Sequence, residues 1–229
     1  MKSTTLIIPG LYGSGPGHWQ SWMESRIEGA QRVQQADWAI ASLDAWSARV
    51  GAAIDDAVGA VWLVAHSFGC LAAVAALAQR SDPEDRVAGM LLVAPANPER
   101  FGPRGLLTSG GSSVTQTTDL KDTITALLPH RRLGVPAVVV ASSNDPWMRL
   151  TAASVWADRW GAQFECIGRA GHINVESGHG PWPQGLAVLE RLRHAHGNEP
   201  LGHIEAVDTG YSHAHGQRGE RMLAQQWFG

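Results

Sequence analysis

Residues 61–73 read VWLVAHSFGCLAA. The run Val61–Ala65 is apolar without interruption, as expected of a strand buried on both faces. From Cys70 the chain continues CLAAVAALA, a run of small helix-forming residues. Strand must turn into helix within His66-Ser67-Phe68-Gly69, with Ser67 near the tip. A serine at such a junction has two readings. It can cap the helix N-terminus. It can also present its hydroxyl at the tip of a strained turn, as in the Gly-x-Ser-x-Gly elbow, with Ala65 in place of the first glycine. A helix that leaves steeply back across its strand demands small neighbours, and alanine adds a single methyl.

Similar apolar runs recur on either side. TTLIIPG (4–10), GMLLVA (89–94) and PAVVVAS (136–142) read as buried strands, and RVQQADW (32–38) and QFECI (163–167) as weaker ones. Between them apolar residues fall at helical spacing: Leu43, Trp46, Val50, Ile54 and Val58; Leu120, Ile124, Leu127 and Leu128; Val155, Trp156 and Trp160; Leu186, Leu189 and Leu192. Each set is expected to face the sheet. The alternation predicts an α/β fold: a mostly parallel central sheet of about six strands, with helices on both faces and right-handed crossovers. Two segments break the rhythm. Residues 95–118, rich in Pro, Gly, Ser and Thr, read as a long surface loop. The polar, His-rich stretch 197–229 reads as a C-terminal tail of unassigned role, appended to a domain over 1–196.

With 44% hydrophobic and 17% charged residues, the 229-residue chain can bury a core. A net charge of −3 without a basic stripe speaks against nucleic acid or an anionic membrane surface as partner. The first apolar run is too brief for a secretory leader, and no run is long enough to span a bilayer. Cys70 and Cys166 both sit among apolar residues. Two buried thiols, rather than a disulfide framework, favour the cytoplasm.

Nucleophilic chemistry at Ser67 needs a base, and the base needs an orienting acid. Such groups sit past the C-terminal ends of parallel strands. Asp145 follows the strand 136–142 in ASSNDPW, and His172 follows 163–167 in GRAGHINVESGHGPW. The chain order Ser, Asp, His is that of the α/β-hydrolases. His179 competes with His172 for the base but lies farther from its strand. Glu99, past the neighbouring strand, competes with Asp145 for the acid, but the strand before Asp145 is better defined and its loop is short. His66 is expected to pack beneath the turn.

The stretches IIPGLYGSGPGHWQSW, LVAHSFGC, VASSNDPW and AGHINVESGHGPWPQG together resemble the small single-domain serine hydrolases typified by retinoblastoma-binding protein nine and its bacterial relatives. The resemblance covers roughly residues 3–196 and is carried most specifically by GHINVESGHGPWP. It implies a reduced α/β-hydrolase fold lacking the first two strands of the larger enzymes. It also implies Ser67 as nucleophile, Asp145 as acid and His172 as base.

An oxyanion would need two backbone N–H donors. Phe68, after the serine, and Leu11, in the loop PGLYGSGPGHW, are the expected pair, with Tyr12 in reserve. Tyr12, Trp19, Trp147 and Trp182 lie in loops flanking the site and are expected to line a pocket. No metal site is expected, since the spacing of His194, His196, His203, His213 and His215 fits no zinc motif, and no cofactor is required. The expected activity is cleavage of a small carboxylic ester through an acyl-serine. A binding module on a hydrolase scaffold and an acyltransferase with the same triad are the alternatives. No protein partner can be named from the sequence.

Overall fold

A computed structural model describes residues 2–107 and 122–196. Expectations placed on 108–118, on Leu120 and on the tail lie outside these residues. The elements run β1 (Ser3–Ile8), α1 (Trp19–Arg26), β2 (Ala30–Arg32), α2 (Leu43–Asp56), β3 (Ala60–His66), α3 (Phe68–Ala78), β4 (Val87–Val93), β5 (Phe101–Gly102), β6 (Gly105–Leu106), β7 (Ala137–Ala141), α4 (Leu150–Trp160), β8 (Gln163–Cys166) and α5 (Pro183–His196).

Six strands form one sheet in the order β2-β1-β3-β4-β7-β8, every pair parallel. Successive side chains of a strand point to opposite faces, and the core divides accordingly. Leu6, Ile8, Leu63, Ala65, Met90, Leu92 and Val139 face one cluster, which the apolar sides of α2, α3 and α4 complete. Ile7, Trp62, Val64, Leu91, Val93, Val138 and Val140 face the other, closed by Trp19 and Met23 of α1 and by Val188, Leu189 and Leu192 of α5. Helix α3 is apolar all round and buried from Phe68 to Leu77, because the sheet covers one side and α2 packs on it. Ser42 caps α2 by accepting from the Ala45 N–H, and Gly161 ends α4 in the left-handed region.

From β1 the chain first moves outward to β2 and then returns to place β3 on the other side of β1. The strand order therefore reverses between β1 and β3. The loops after these two strands part and leave a crevice at their C-terminal ends. Ser67 stands at that crevice.

Several local expectations are corrected. The second strand lies over Ala30–Arg32, not 32–38, since its neighbour β1 ends at Ile8 and is followed by Pro9, which has no N–H to continue a ladder. Among the described residues, only a 3₁₀ turn, Ile124–Leu127, forms where a helix was expected, and Leu127 is exposed. Val58 lies beyond the end of α2, and Val155 faces out from α4. Cys166 is exposed because β8 is an edge strand, whereas Cys70 is buried. Among the described residues, no helix is long and apolar enough to cross a membrane.

Candidate active site

The turn after β3 is strained. Ser67 has φ 54° and ψ −125°, a conformation that costs a non-glycine residue about 1–3 kcal/mol. Its side chain makes no capping bond to α3, which removes the capping reading. Two glycines permit the turn. A Cβ on Gly69 would stand 2.4 Å from the Pro9 carbonyl oxygen, so α3 packs directly on the backbone after β1. A Cβ on Gly10 would stand 2.7 Å from the Ser67 Cβ.

Three loops converge on the serine hydroxyl. Ser67 Oγ donates to His172 Nε2 at 2.8 Å, and His172 Nδ1 donates to both Asp145 carboxylate oxygens, at 3.0 and 2.9 Å. Asp145 Oδ1 also accepts from the Trp147 N–H at 2.8 Å. The Asp145 and His172 side chains are only 3% and 8% exposed, so their hydrogen bonds are shielded from water. Side chains of the Asp145 loop staple it to the His172 loop. Ser142 Oγ accepts from the Ala170 N–H, and Asn144 Oδ1 accepts from the Gly171 N–H, each at 2.9 Å. The rival residues stand apart. Glu99 is exposed on the neighbouring loop, and His179 bonds to Ser177 within its own loop.

Neutral histidines surround the base. His66 and His18 lie side by side, with ring centroids 4.9 Å apart, and the His66 ring is 5.0 Å from that of His172. Burial drives the His66 pKa well below its ordinary value, and the neighbouring His172 and His18 add to this. Burial, then Arg32, lowers His18 to about 4. His18 Nδ1 accepts from the Gln20 N–H and so caps α1. Burial also pushes the Cys70 thiol up, leaving it an inert core group.

Phe68 opens α3, whose first N–H groups lack intrahelical partners. The Leu11 N–H donates to none of the described residues, whereas the Tyr12 N–H is spent on the Trp38 carbonyl. A cavity of about 320 Å³ opens over Ser67, with Leu11, Tyr12, Phe101, Leu106, Trp147 and Val175 as its apolar walls. Of the four expected pocket residues, Tyr12 and Trp147 line it. Trp19 and Trp182 do not: they pack edge to face in the core, 5.3 Å between centroids. Among the described residues, no group of His, Cys, Asp or Glu is arranged to hold a metal ion.

Sequence reading missed three supports. Gln20 is wholly buried, and its Nε2 ties the ends of β1 and β3 by donating to the Ile8 and Val64 carbonyls, each at 3.1 Å. Ser142 and Asn144 were legible only as loop residues, and the His66 bond to the His172 backbone has no local signature.

A six-stranded parallel sheet flanked by helices, with Ser67, Asp145 and His172 past its strand ends, is that of an α/β-hydrolase. The chain belongs to the serine hydrolase family, whose model matches residues 5–191. Among solved structures it is similar to a protein described as a YdeN-like hydrolase from Pectobacterium atrosepticum, 34% identical over 85% of this chain and 92% of that one, with a TM-score of 0.71. The ydeN gene product of B. subtilis is 20% identical over 84% and 99%, with a TM-score of 0.60. Est1E from Butyrivibrio proteoclasticus, 14% identical over 85% and 88% with a TM-score of 0.58, shares the fold. No curated protein matches the chain.

Proposed function

We propose that this serine hydrolase is a carboxylesterase that cleaves small esters through an acyl-Ser67 intermediate. The observation that carries the reading is the unbroken hydrogen-bond path from Ser67 Oγ through His172 to Asp145. As Oγ attacks the ester carbonyl carbon, His172 Nε2 takes its proton. The carbonyl oxygen becomes an oxyanion facing the Leu11 and Phe68 N–H groups, which stabilise charge as it develops. Collapse of the tetrahedral intermediate breaks the bond to the leaving alcohol oxygen, which takes the proton from His172. Water then attacks the acyl-enzyme with His172 again as base, releasing the acid and restoring the serine. Asp145 holds the imidazole in the tautomer with Nδ1–H and stabilises the imidazolium. The modest, apolar cavity over Ser67 favours a small acyl group.

Labelling with a fluorophosphonate tests the reading. The wild-type chain should be modified once, at Ser67, with parallel loss of p-nitrophenyl butyrate hydrolysis, and Ser67→Ala should be neither labelled nor active. Hydrolysis that survives in Ser67→Ala would overturn the assignment.

A further inference from the structure

A second cavity, of about 790 Å³, adjoins the one over Ser67, and Trp147 lines both. Its wall carries Arg100, Arg149 and Arg159, all exposed. Among the described residues that line it, Glu99 is the one exposed carboxylate, and the Asp145 carboxylate on the same wall is engaged by His172 and the Trp147 N–H. Among the described residues, none of the three guanidinium groups is ion-paired. This cationic groove belongs to a chain of net charge −3, so it is a local concentration and not a reflection of composition.

Two of the arginines are held in place. The Arg100 guanidinium carbon lies 4.1 Å from the Trp147 ring centroid, and its Nη1 donates to the Pro146 carbonyl at 3.2 Å. Arg159 lies over Trp156 at 4.9 Å. Stacking on an aromatic face restricts a long side chain while leaving most of its N–H donors free. An anion arriving there meets donors whose ordering cost has largely been met beforehand.

The position relative to the base assigns the groove to one half of the substrate. His172 Nε2 must deliver a proton to the leaving oxygen, so the leaving group lies on the His172 side of the cavity. Trp147 is on that side, its ring centroid 6.0 Å from that of His172. We propose that the groove bearing Arg100, Arg149 and Arg159 is a leaving-group subsite, and that the natural substrate is a small-acyl ester of an alcohol carrying a phosphate or carboxylate. This rests on the esterase reading above. The products are then a short carboxylic acid and the anionic alcohol.

The test compares phenyl butyrate, 4-butyryloxybenzoate and 4-butyryloxyphenyl phosphate in the wild type, in Arg149→Gln and in Arg100→Gln/Arg159→Gln. Comparing proteins on one substrate cancels the intrinsic reactivity of each leaving group. The preference in kcat/KM for an anionic over the neutral ester should fall about tenfold or more in the double variant, and less in Arg149→Gln. In the wild type it should also shrink as NaCl is raised, because exposed charges are screened. The anion with the larger loss names the group. A preference unchanged by the substitutions would overturn the proposal. A second measurement does not depend on catalysis: tryptophan fluorescence titration of Ser67→Ala with phenyl phosphate and with benzoate, with and without the arginines. Saturable quenching lost with Arg100 and Arg159 supports the groove even if ester cleavage fails, and no arginine-dependent quenching by either anion overturns it.

Discussion

His66 Nε2 donates a hydrogen bond of 2.9 Å to the backbone carbonyl of His172. The next carbonyl, of Ile173, accepts from the Trp19 indole N–H at 2.8 Å. Two consecutive peptides at the base are thus held from beneath by core side chains. They hold Ile173 at φ 48°, a conformation unfavourable for a β-branched residue. His66 is buried and neutral, and this bond fixes the tautomer with the proton on Nε2.

Removing that clamp should loosen the base without removing it. His66→Phe orphans a buried carbonyl and should lower stability by about 1–3 kcal/mol. Displacement of the imidazole should lower kcat by about 10- to 100-fold. Slower but complete fluorophosphonate labelling of Ser67, with a reduced urea midpoint, is the expected pair of results. Wild-type kinetics would show that Trp19 suffices.

Asp145→Asn preserves an acceptor for the Trp147 N–H but favours the wrong imidazole tautomer. The chain should fold, and kcat should drop by about 10³- to 10⁴-fold. Glu99→Gln should not reproduce that loss on a neutral ester. Steady-state kinetics of both variants on p-nitrophenyl butyrate decides between the two carboxylates.

Stability should fall as the solution is acidified. His18 is lowered from about 6.5 to about 4 in the fold, and His66 is lowered as well. Between these values the unfolded chain binds more protons than the folded one. Stability is therefore full above about pH 6.5 and declines as pH falls toward 4, with His18 accounting for on the order of 3 kcal/mol. His18→Asn keeps a capping acceptor for the Gln20 N–H and should flatten this slope in urea titrations between pH 7 and 4.5. An equally steep slope in the variant would place the acid sensitivity elsewhere.

The close packing at the turn predicts an order of tolerance. Gly69→Ala drives a methyl into the Ile8 and Pro9 carbonyls, 2.5 and 2.4 Å from the added carbon, and should cost about 3 kcal/mol or more. Ala65→Val should cost about 1–3 kcal/mol and reduce activity, since Ala65 is fully buried, whereas Ala65→Gly should keep activity. Thermal denaturation with residual ester hydrolysis ranks the three. A fully active Ala65→Val would refute the steric account of alanine at this position.

The size of the cavity limits the acyl chain. Each methylene that finds apolar wall gains about 0.8 kcal/mol, roughly fourfold in kcat/KM. A space of about 320 Å³ shared with the scissile group accommodates only a few. Along a p-nitrophenyl ester series, kcat/KM should peak at short chains and decline beyond about eight carbons, without activation on emulsification. A steady rise to long chains would require a longer acyl channel than the one over Ser67.

Much of this was legible in the chain itself. Uninterrupted apolar runs at 61–65, 89–94 and 136–142 determined a parallel sheet covered on both faces, because only such strands bury every side chain. Ser67 between Ala65 and Gly69, with Asp145 and His172 soon after later strands, determined which loops would meet, because parallel strands present all their C-terminal ends on one edge. What only the tertiary structure decided was the use of residues whose local sequence is ambiguous. Trp19 and Trp182 sit in loop-like sequence beside the site yet pack into the core, while Trp147 stays at the cavity. Cys166 resembles a buried strand residue but falls on an edge that β8 leaves open. The bonds from His66 to His172 and from Gln20 to Ile8 and Val64 link positions 106, 12 and 44 residues apart. Spacing along a chain records the period of one strand or helix; partners that distant are set by which strands lie side by side, and that is known only when the sheet has formed.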